Sequence, residues 1–428
     1  MGTDLKIGIA GLGTVGQGVV RMLQLNEADI GARSGKIIRI TSISAQNRHK
    51  DRGLDLTGYS WEDNPSELAK RPDIDVFVEL MGGSEGVALE SVKTALRNGK
   101  DVITANKAML AHHGQELAEL AEECKCCIRY EAAVAGGIPA VKSLTESLAG
   151  NRITRILGVM NGTCNYILTR MEKDKLTYQE VFEDAQKLGY LEADPTLDVG
   201  GIDAGHKLAL LSSIAYGTRV DFDNMEIEGI ERISIGDIEQ AKDMGFRIKL
   251  LGISKFTANG LEQRTQPCLV LEKSPLGLIE EATNLVVFEG DFVGTICLQG
   301  PGAGSGPTAS SVLSDLVELA RGTRIPMFGI SANNLKKAKP CKSAVEVPYY
   351  LRLLLKDEPG VLAQIALALG NAGISIDRMR QYSHATSQAP VIIVTHKINR
   401  TKLDVALDQI RNSDVSLEEP VTIRIEEI

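Results

Sequence analysis

The sequence predicts an α/β protein: a doubly wound parallel-sheet domain, a mixed α+β domain, and a small βαββαβ unit at the C-terminal end. Three observations carry this. A short apolar run, LKIGIAG, meets glycines at once and continues into the amphipathic stretch VGQGVVRMLQLN. Apolar runs of strand length then alternate with longer helical patterns up to about residue 140, the signature of βαβ units around a parallel sheet. The last stretch, from YYLRLLLKDEPGVLAQIALALG to VTIRIEEI, reads strand, helix, strand, strand, helix, strand.

In the first part the runs KIIRITSISAQ, DIDVFVELMGG, SVKTALRNGKDVITANK and ELAELAEECKCCIRYEAAV supply the further strands and helices. The middle part holds an amphipathic TYQEVFEDAQKLGYLEADP, an apolar helix KLALLSSIAYG and β-like segments such as NLVVFEGDFVGTICLQG. SANNLKKAKPCKSAVEVP is polar and basic and reads as a linker. At 428 residues the chain is too long for one ordinary core. A net charge of −9 argues against a general affinity for nucleic acid or anionic membrane. No run of about 18 apolar residues exists to span a bilayer. The N-terminus enters a strand at once, so no signal peptide is expected, and no myristoylation either, since Lys6 stands where Ser or Thr is needed. The seven cysteines form no disulfide framework. CKCC at 124–127 is dense enough to suggest metal, but no second Cys or His pair follows at zinc-finger spacing. Structural thiols in a reducing cytoplasm are expected.

GLGTVG at 11–16 is a G-x-G-x-x-G between a strand and a helix. Gly11 suits the tight turn, Gly13 lets the backbone approach a pyrophosphate, and Gly16 lets helix and strand pack closely. With Leu12, Thr14 and Val15 they form a Rossmann-type cradle at a helix N-terminus, which attracts anions. The bland alternative is a merely structural glycine turn. Beyond the second strand, SISAQNRHKDR has no acid at its tip to hold a ribose 2′-hydroxyl; Arg48, His49, Lys50 and Arg52 follow instead. NADP is therefore expected over NAD, with Arg48 at the 2′-phosphate, against a solvated basic loop. ELMGG at 79–83 and TANK at 104–107 each end a strand. Ligands of open α/β sheets sit there, which brings Met81, Gly82, Gly83, Thr104, Asn106 and Lys107 towards the nicotinamide. By itself Lys107 could be an exposed cap. QGPGAGSGPTASSVLSDL at 299–316 is a second glycine-rich loop entering a helix. Backbone N–H groups near Gly302 and Gly304 suit a carboxylate or phosphate, with a flexible connection as the alternative.

DPTLDVGGIDAGHKLALL at 194–211 places Asp203 and Lys207 four apart, on one helix face. An ordinary intrahelical ion pair is the plain reading. The apolar helix that follows argues instead for burial, where charges need partners or a function. Glu192, Asp194 and Asp198 arrive from the preceding loop. One ammonium among carboxylates fits a substrate with its own ammonium group and a lysine that exchanges a proton.

These segments carry a family resemblance. GLGTVG, VELMGG, TANK, EAAVAGGIP, NGTCNYIL, GYLEADPTLDVGGIDAGHKLALL and GPGAGSGPTASSVLSD follow one another in the order found in homoserine dehydrogenases. The likeness spans nearly the whole chain, and the long central motif is the specific part. The final residues resemble an ACT domain, an amino-acid-sensing module. No aspartokinase-like region precedes the fingerprint, so the monofunctional form is expected. The resemblance implies reversible NAD(P)-dependent reduction of L-aspartate 4-semialdehyde to L-homoserine, on the branch to threonine and methionine. Lys207 would be the proton donor and Lys107 a second lysine beside nicotinamide and substrate. Glu192 and Asp203 would hold the substrate, Glu192 at its ammonium, while Asp198 supports and orients the lysine. A structural Na+ or K+ would sit on backbone carbonyls of Glu131, Val134, Gly136 and Ile138. An effector, threonine by expectation, would bind near Gly360 and Asn371–Ile374 between paired ACT modules, in a homodimer or homotetramer. The chain then divides into a dinucleotide domain (1–140), a substrate-binding and dimerisation domain (141–330), a linker (331–347) and an ACT domain (348–428). A helix near 308–322 is expected to pack back on the first domain.

Two other readings compete. Another Rossmann–ACT oxidoreductase, such as a 2-hydroxy-acid dehydrogenase, needs a catalytic histidine in a setting that none of the six histidines has. His206 adjoins Lys207 but faces elsewhere on the helix. A non-catalytic sensor of dinucleotide and amino acid would not need Lys207.

Overall fold

The computed structural model describes residues 4–187, 195–341, 345–381 and 388–428 of the chain. Its first domain runs β1 (Leu5–Ala10), α1 (Thr14–Ser34), β2 (Ile38–Ser44), β3 (Ser60–Trp61), α2 (Pro65–Lys70), β4 (Val76–Glu79), α3 (Val87–Arg97), β5 (Asp101–Thr104), α4 (Lys107–Glu123) and β6 (Ile128–Arg129). The strands pair in parallel in the order β3-β2-β1-β4-β5-β6. Strand order reverses between β1 and β4, so the crevice at their carboxyl ends is where such a sheet binds ligand. The helix signals are local: Asn64 caps α2 through Ser66 N, Pro65 takes its first position, and Asn106 caps α4 through Met109 N. The CKCC run leads into β6, and burial pushes the Cys126 thiol up to about 11 and the Cys127 thiol up as well. A buried thiol with a raised pKa is a poor nucleophile.

The middle domain runs α5 (Ala140–Lys142), β7 (Ile153–Val159), α6 (Gly162–Asp174), α7 (Tyr178–Lys187), α8 (Thr196–Val199), α9 (Ile202–Tyr216), β8 (Glu226–Ile227) and α10 (Ile235–Asp243). It continues with β9 (Phe246–Thr257), β10 (Gly260–Leu271), α11 (Pro275–Leu278), β11 (Thr283–Gly290), β12 (Gly294–Pro301) and α12 (Ser305–Arg321). The last of these, α12, returns to the first domain. Its Val312, Leu316 and Ala309 share a core with Val19, Val20 and Leu23 of α1. The approach is close because Gly18 has no side chain; a Cβ there would lie 2.6 Å from Ser305 O.

The C-terminal unit runs β13 (Tyr349–Lys356), α13 (Val361–Asn371), β14 (Ile376–Gln381), β15 (Gln388–Thr395), α14 (Arg400–Arg411) and β16 (Val421–Glu426). Its sheet is continuous with the middle domain, in the order β12-β11-β7-β9-β10-β16-β13-β15-β14, with β8 against β10. The join is short and parallel: Cys268, Leu269 and Val270 of β10 face Arg424, Ile425 and Glu426 of β16. One sheet edge of the unit is thus occupied within the chain. The stretch read as a linker is also anchored. Leu335 is buried, Lys336 N donates to Gly217 O at 3.1 Å, and Leu261 N donates to Lys339 O at 2.8 Å. Its polar composition hides this, since the backbone makes the attachments. Among the described residues no helix is long and apolar enough to cross a membrane.

The join carries buried charge. Arg424 Nη1 lies 2.7 Å from Glu262 Oε1 and its Nε pairs with Glu426, while Arg155 Nη1 lies 3.2 Å from Glu426 Oε2. Removing one member of such a buried set leaves the others uncompensated, a loss of about 3–5 kcal/mol. Arg424→Ala is expected to lower unfolding free energy in denaturant by about that amount.

Candidate active site

The glycine fingerprint sits where the sheet reverses. Gly11 has φ +102°, and a Cβ on it would lie 2.4 Å from Leu80 O; a Cβ on Gly16 would lie 2.0 Å from Gly11 O. Around Gly13 there is open space. Two glycines therefore serve packing, and the third leaves room for a ligand. The start of α1 has no side-chain cap and no acid in its first turn, so its N–H groups and positive dipole face outward uncompensated. These features fit a dinucleotide pyrophosphate. Leu12 O accepts from Gln17 Nε2 at 3.1 Å and from Arg52 Nε at 3.3 Å, so Arg52 ties the loop after β2 to the fingerprint. Arg48 stands further out on that loop, its guanidinium 5.6 Å from the Trp61 ring centre.

A cavity of about 540 Å³ opens between the domains. Thr14, Val15 and Lys107 line it from the first domain, and Asn161, Asp203 and Lys207 from the middle one. The loop Pro301–Gly304 closes its rim. This loop nests on the turn after β6: a Cβ on Gly136 would lie 2.4 Å from Gly302 O, and Ser305 Oγ donates to Thr14 O at 2.8 Å. Ala135 takes φ 57° and Gly136 φ 58°, the left-handed geometry that makes the turn.

At the cavity floor α9 presents Asp203 and Lys207. Lys207 Nζ donates to Asp203 Oδ2 at 2.6 Å and to Met160 O at 2.7 Å. Among the described residues these use two of its three N–H bonds. Lys107 Nζ, at the start of α4, lies 3.1 Å from Asp203 Oδ1. Asn161 Nδ2 donates to both Asp203 Oδ2, at 2.9 Å, and Asp198 Oδ1, at 2.8 Å. Burial alone would push the Asp203 carboxyl up. The ammonium groups of Lys207 and Lys107 and the Asn161 hydrogen bond overcome that and hold it well below the usual carboxylate range. Asp203 is thus a fixed anion, and Lys207 and Lys107 are held on its two oxygens.

Asp198, Asp203, Lys107 and Lys207 therefore meet at one cavity. Met81, Gly82 and Gly83 form the loop after β4, with φ 82° and 87° at the two glycines. Thr104 is fully buried, and Asn106 Nδ2 donates to Gly83 O at 2.7 Å; their side chains hold loops together and do not line the cavity. Glu192 and Asp194 lie outside the described residues. Of the proposed cation set, Glu131 O, Gly136 O and Ile138 O each already accept a hydrogen bond, from Val134 N, Ser311 Oγ and Ala140 N. Each keeps a second lone pair, and neutral carbonyls suit a hard monovalent ion in kind. The Glu131 carboxylate itself accepts from Val141 N and Lys142 N. Sequence reasoning missed Asn161 as a site residue. Its signal was an Asn before a helix, and it does cap α6 through Cys164 N at 2.8 Å, but the same side chain also orders two carboxylates.

A parallel sheet of this order, a glycine cradle at its switch point and a lysine pair across the crevice define a nucleotide-dependent oxidoreductase of the doubly wound class. Family models agree domain by domain: "Homoserine dehydrogenase, NAD binding domain" matches residues 11–131, "Homoserine dehydrogenase" residues 139–317 and "ACT domain" residues 349–414. Homoserine dehydrogenases of Neisseria gonorrhoeae and Pseudomonas aeruginosa are 39% and 40% identical, each covering 99% of both chains. The crystal structure of a homoserine dehydrogenase from Thiobacillus denitrificans superposes with a TM-score of 0.94 at 39% identity, over 100% of this chain and 99% of that one. A hyperthermophilic archaeal homoserine dehydrogenase in complex with NADPH matches 75% of this chain and 98% of its own, with a TM-score of 0.65 at 26% identity. The chain belongs to the homoserine dehydrogenase family.

His206 turns away from the cavity and packs on Phe222, ring centres 4.4 Å apart, with His112 beside it. Burial first, then His112, lowers it from 6.5 to about 4. Between those values the unfolded chain binds the proton and the folded chain does not, so stability falls as pH drops through this window. His206→Phe is expected to flatten that acid-side loss, measured by denaturant unfolding at steps from pH 7 to 4.

Proposed function

We propose that the chain catalyses the reversible NADP-dependent reduction of L-aspartate 4-semialdehyde to L-homoserine, with Lys207 as proton donor. The observation that carries this reading is the Lys107–Asp203–Lys207 cluster at the cavity floor, built from both domains. The bound nicotinamide would supply or accept hydride at the aldehyde carbon. Lys207, held by Asp203 and the Met160 carbonyl, keeps an N–H among the described residues for the aldehyde oxygen and can protonate it as charge develops there. Asp203 keeps Lys207 oriented and Lys107 close, and Asn161 sets the angle between Asp203 and Asp198. Lys107, half-exposed at the head of α4, is placed to meet substrate and nicotinamide together. Glu192 is assigned to the substrate ammonium by family likeness.

The cofactor cradle would use Gly11–Gly16, the Met81–Gly83 loop and the Gly302–Gly304 loop. NADP is preferred over NAD because the loop after β2 carries Arg48 and no acid at its tip. A structural Na+ or K+ on carbonyls of Glu131, Val134, Gly136 and Ile138 belongs to the same reading. So do threonine as the ACT effector, a homo-oligomer, and work in the cytoplasm on the threonine and methionine branch.

Homoserine-dependent reduction of NADP and of NAD, followed at 340 nm with and without threonine, tests this. Activity with NADP in excess of NAD is expected, and inhibition by threonine; no turnover with either cofactor sinks the reading, while indifference to threonine sinks only the regulatory part. Lys207→Ala is expected to lower kcat by about 10²–10⁴-fold with NADPH affinity retained. A sensor that does no chemistry would show neither turnover nor this separation.

A further inference from the structure

Glu79 ends β4 and is 0% exposed, a carboxylate in the core of the nucleotide domain. Burial pushes it above the usual carboxylate range, against the hydrogen bonds from Thr104, Met81 and Gly82 that favour its charge. An apolar residue would fill this place at lower cost, so a buried side chain with two acceptor oxygens calls for a reason. Its partners supply one. Oε1 accepts from Met81 N at 2.7 Å and Gly82 N at 3.2 Å, and Oε2 accepts from Thr104 Oγ1 at 2.5 Å. Thr104 Oγ1 in turn accepts from Asn106 N at 3.0 Å. Asn106 reaches back to Gly83 O and caps α4, whose first residue is Lys107. On the other side, Leu80 N donates to Ala10 O at 2.7 Å and Leu80 O packs beneath Gly11.

The carboxylate thus joins the Met81–Gly83 loop to the segment that delivers Lys107 to Asp203, and the Leu80 backbone beside it packs against the fingerprint. We propose that Glu79 is a positioning residue for this enzyme, which sets the nicotinamide loop and Lys107 in register with each other. It touches neither substrate nor cofactor. The inference rests on the dehydrogenase reading above and adds a residue to it.

Reach matters more than charge in this arrangement. A glutamine keeps an acceptor for Met81 N and Gly82 N, and its amide N–H can meet the Thr104 hydroxyl. An aspartate keeps the charge but is one methylene short of spanning both loops. A displacement of about 1 Å at such a distance from the chemistry is worth up to about 10²-fold in rate.

The test measures NADPH affinity by its fluorescence, without substrate, and kcat and KM for homoserine oxidation, on the full chain. Glu79→Ala and Glu79→Asp are expected to weaken NADPH binding and lower kcat by about 10-fold or more each, while Glu79→Gln stays within about threefold of wild type. Thr104→Val, which removes the hydroxyl link at constant volume, is expected to lower kcat in the same direction and answers the question if Glu79→Ala does not fold. The proposal is overturned if folded Glu79→Ala or Thr104→Val keeps wild-type kcat and NADPH affinity, or if Glu79→Asp matches wild type and Glu79→Gln does not. A wild-type chain that binds NADPH but does not oxidise homoserine fails the dehydrogenase reading, whereas the positioning effect on NADPH binding is still read directly.

Discussion

The site depends on one anion, Asp203, held in the core between two lysines that come from different domains. Alone, a buried carboxylate would take up a proton or unfold its surroundings. With Lys207 on one oxygen and Lys107 on the other it remains charged, and each lysine is restrained in return. The pair on α9 could form in an isolated helix, where it would be worth a few tenths of a kcal/mol. The third member, from α4, forms only when the nucleotide domain closes over the middle domain.

That closure is set by backbone contact more than by side chains. Gly11 lies against Leu80, Gly18 against Ser305, and Gly136 against Gly302, each so close that a methyl group would collide. These approaches bring α12 against α1 and lay the Pro301–Gly304 loop over the cavity rim. The first domain is completed by a helix that follows it by some way in the chain, so its core cannot be finished until the middle domain has been made.

The C-terminal unit is joined by the same kind of economy. Three residue pairs between β10 and β16 turn two sheets into one, and the buried Arg424–Glu262–Glu426 set secures the join. On the same strand β10, Thr265 Oγ1 donates to the carbonyl of Gly201 at 3.1 Å, just ahead of α9. A strand that carries the ACT-type unit at one end also supports the helix of Lys207.

Much of this was legible beforehand. Glycines at 11, 13 and 16, alternating strands and helices, and the four-residue spacing of Asp203 and Lys207 are local facts, and local chemistry decides them. The domain classes and the fingerprint followed from them; the family came from the resemblance of longer motifs, GYLEADPTLDVGGIDAGHKLALL above all. What was hidden depends on distance in sequence. Asn161 reads as a helix cap, and only the fold brings Asp198 and Asp203 within its reach, 37 and 42 residues on. Stretch 331–347 reads as a linker because its attachments, such as those of Lys336 and Lys339, are made by backbone, which has no sequence signature. Glu79 reads as a strand end, because its three partners belong to the loop after β4 and to the end of β5, which meet only in the sheet. The sequence by itself determined which elements form and which residue types reach the crevice, through periodicity, capping and glycine geometry. Tertiary structure alone decided which charges face each other, because burial and a second domain's lysine convert a surface-type ion pair into a fixed, working anion.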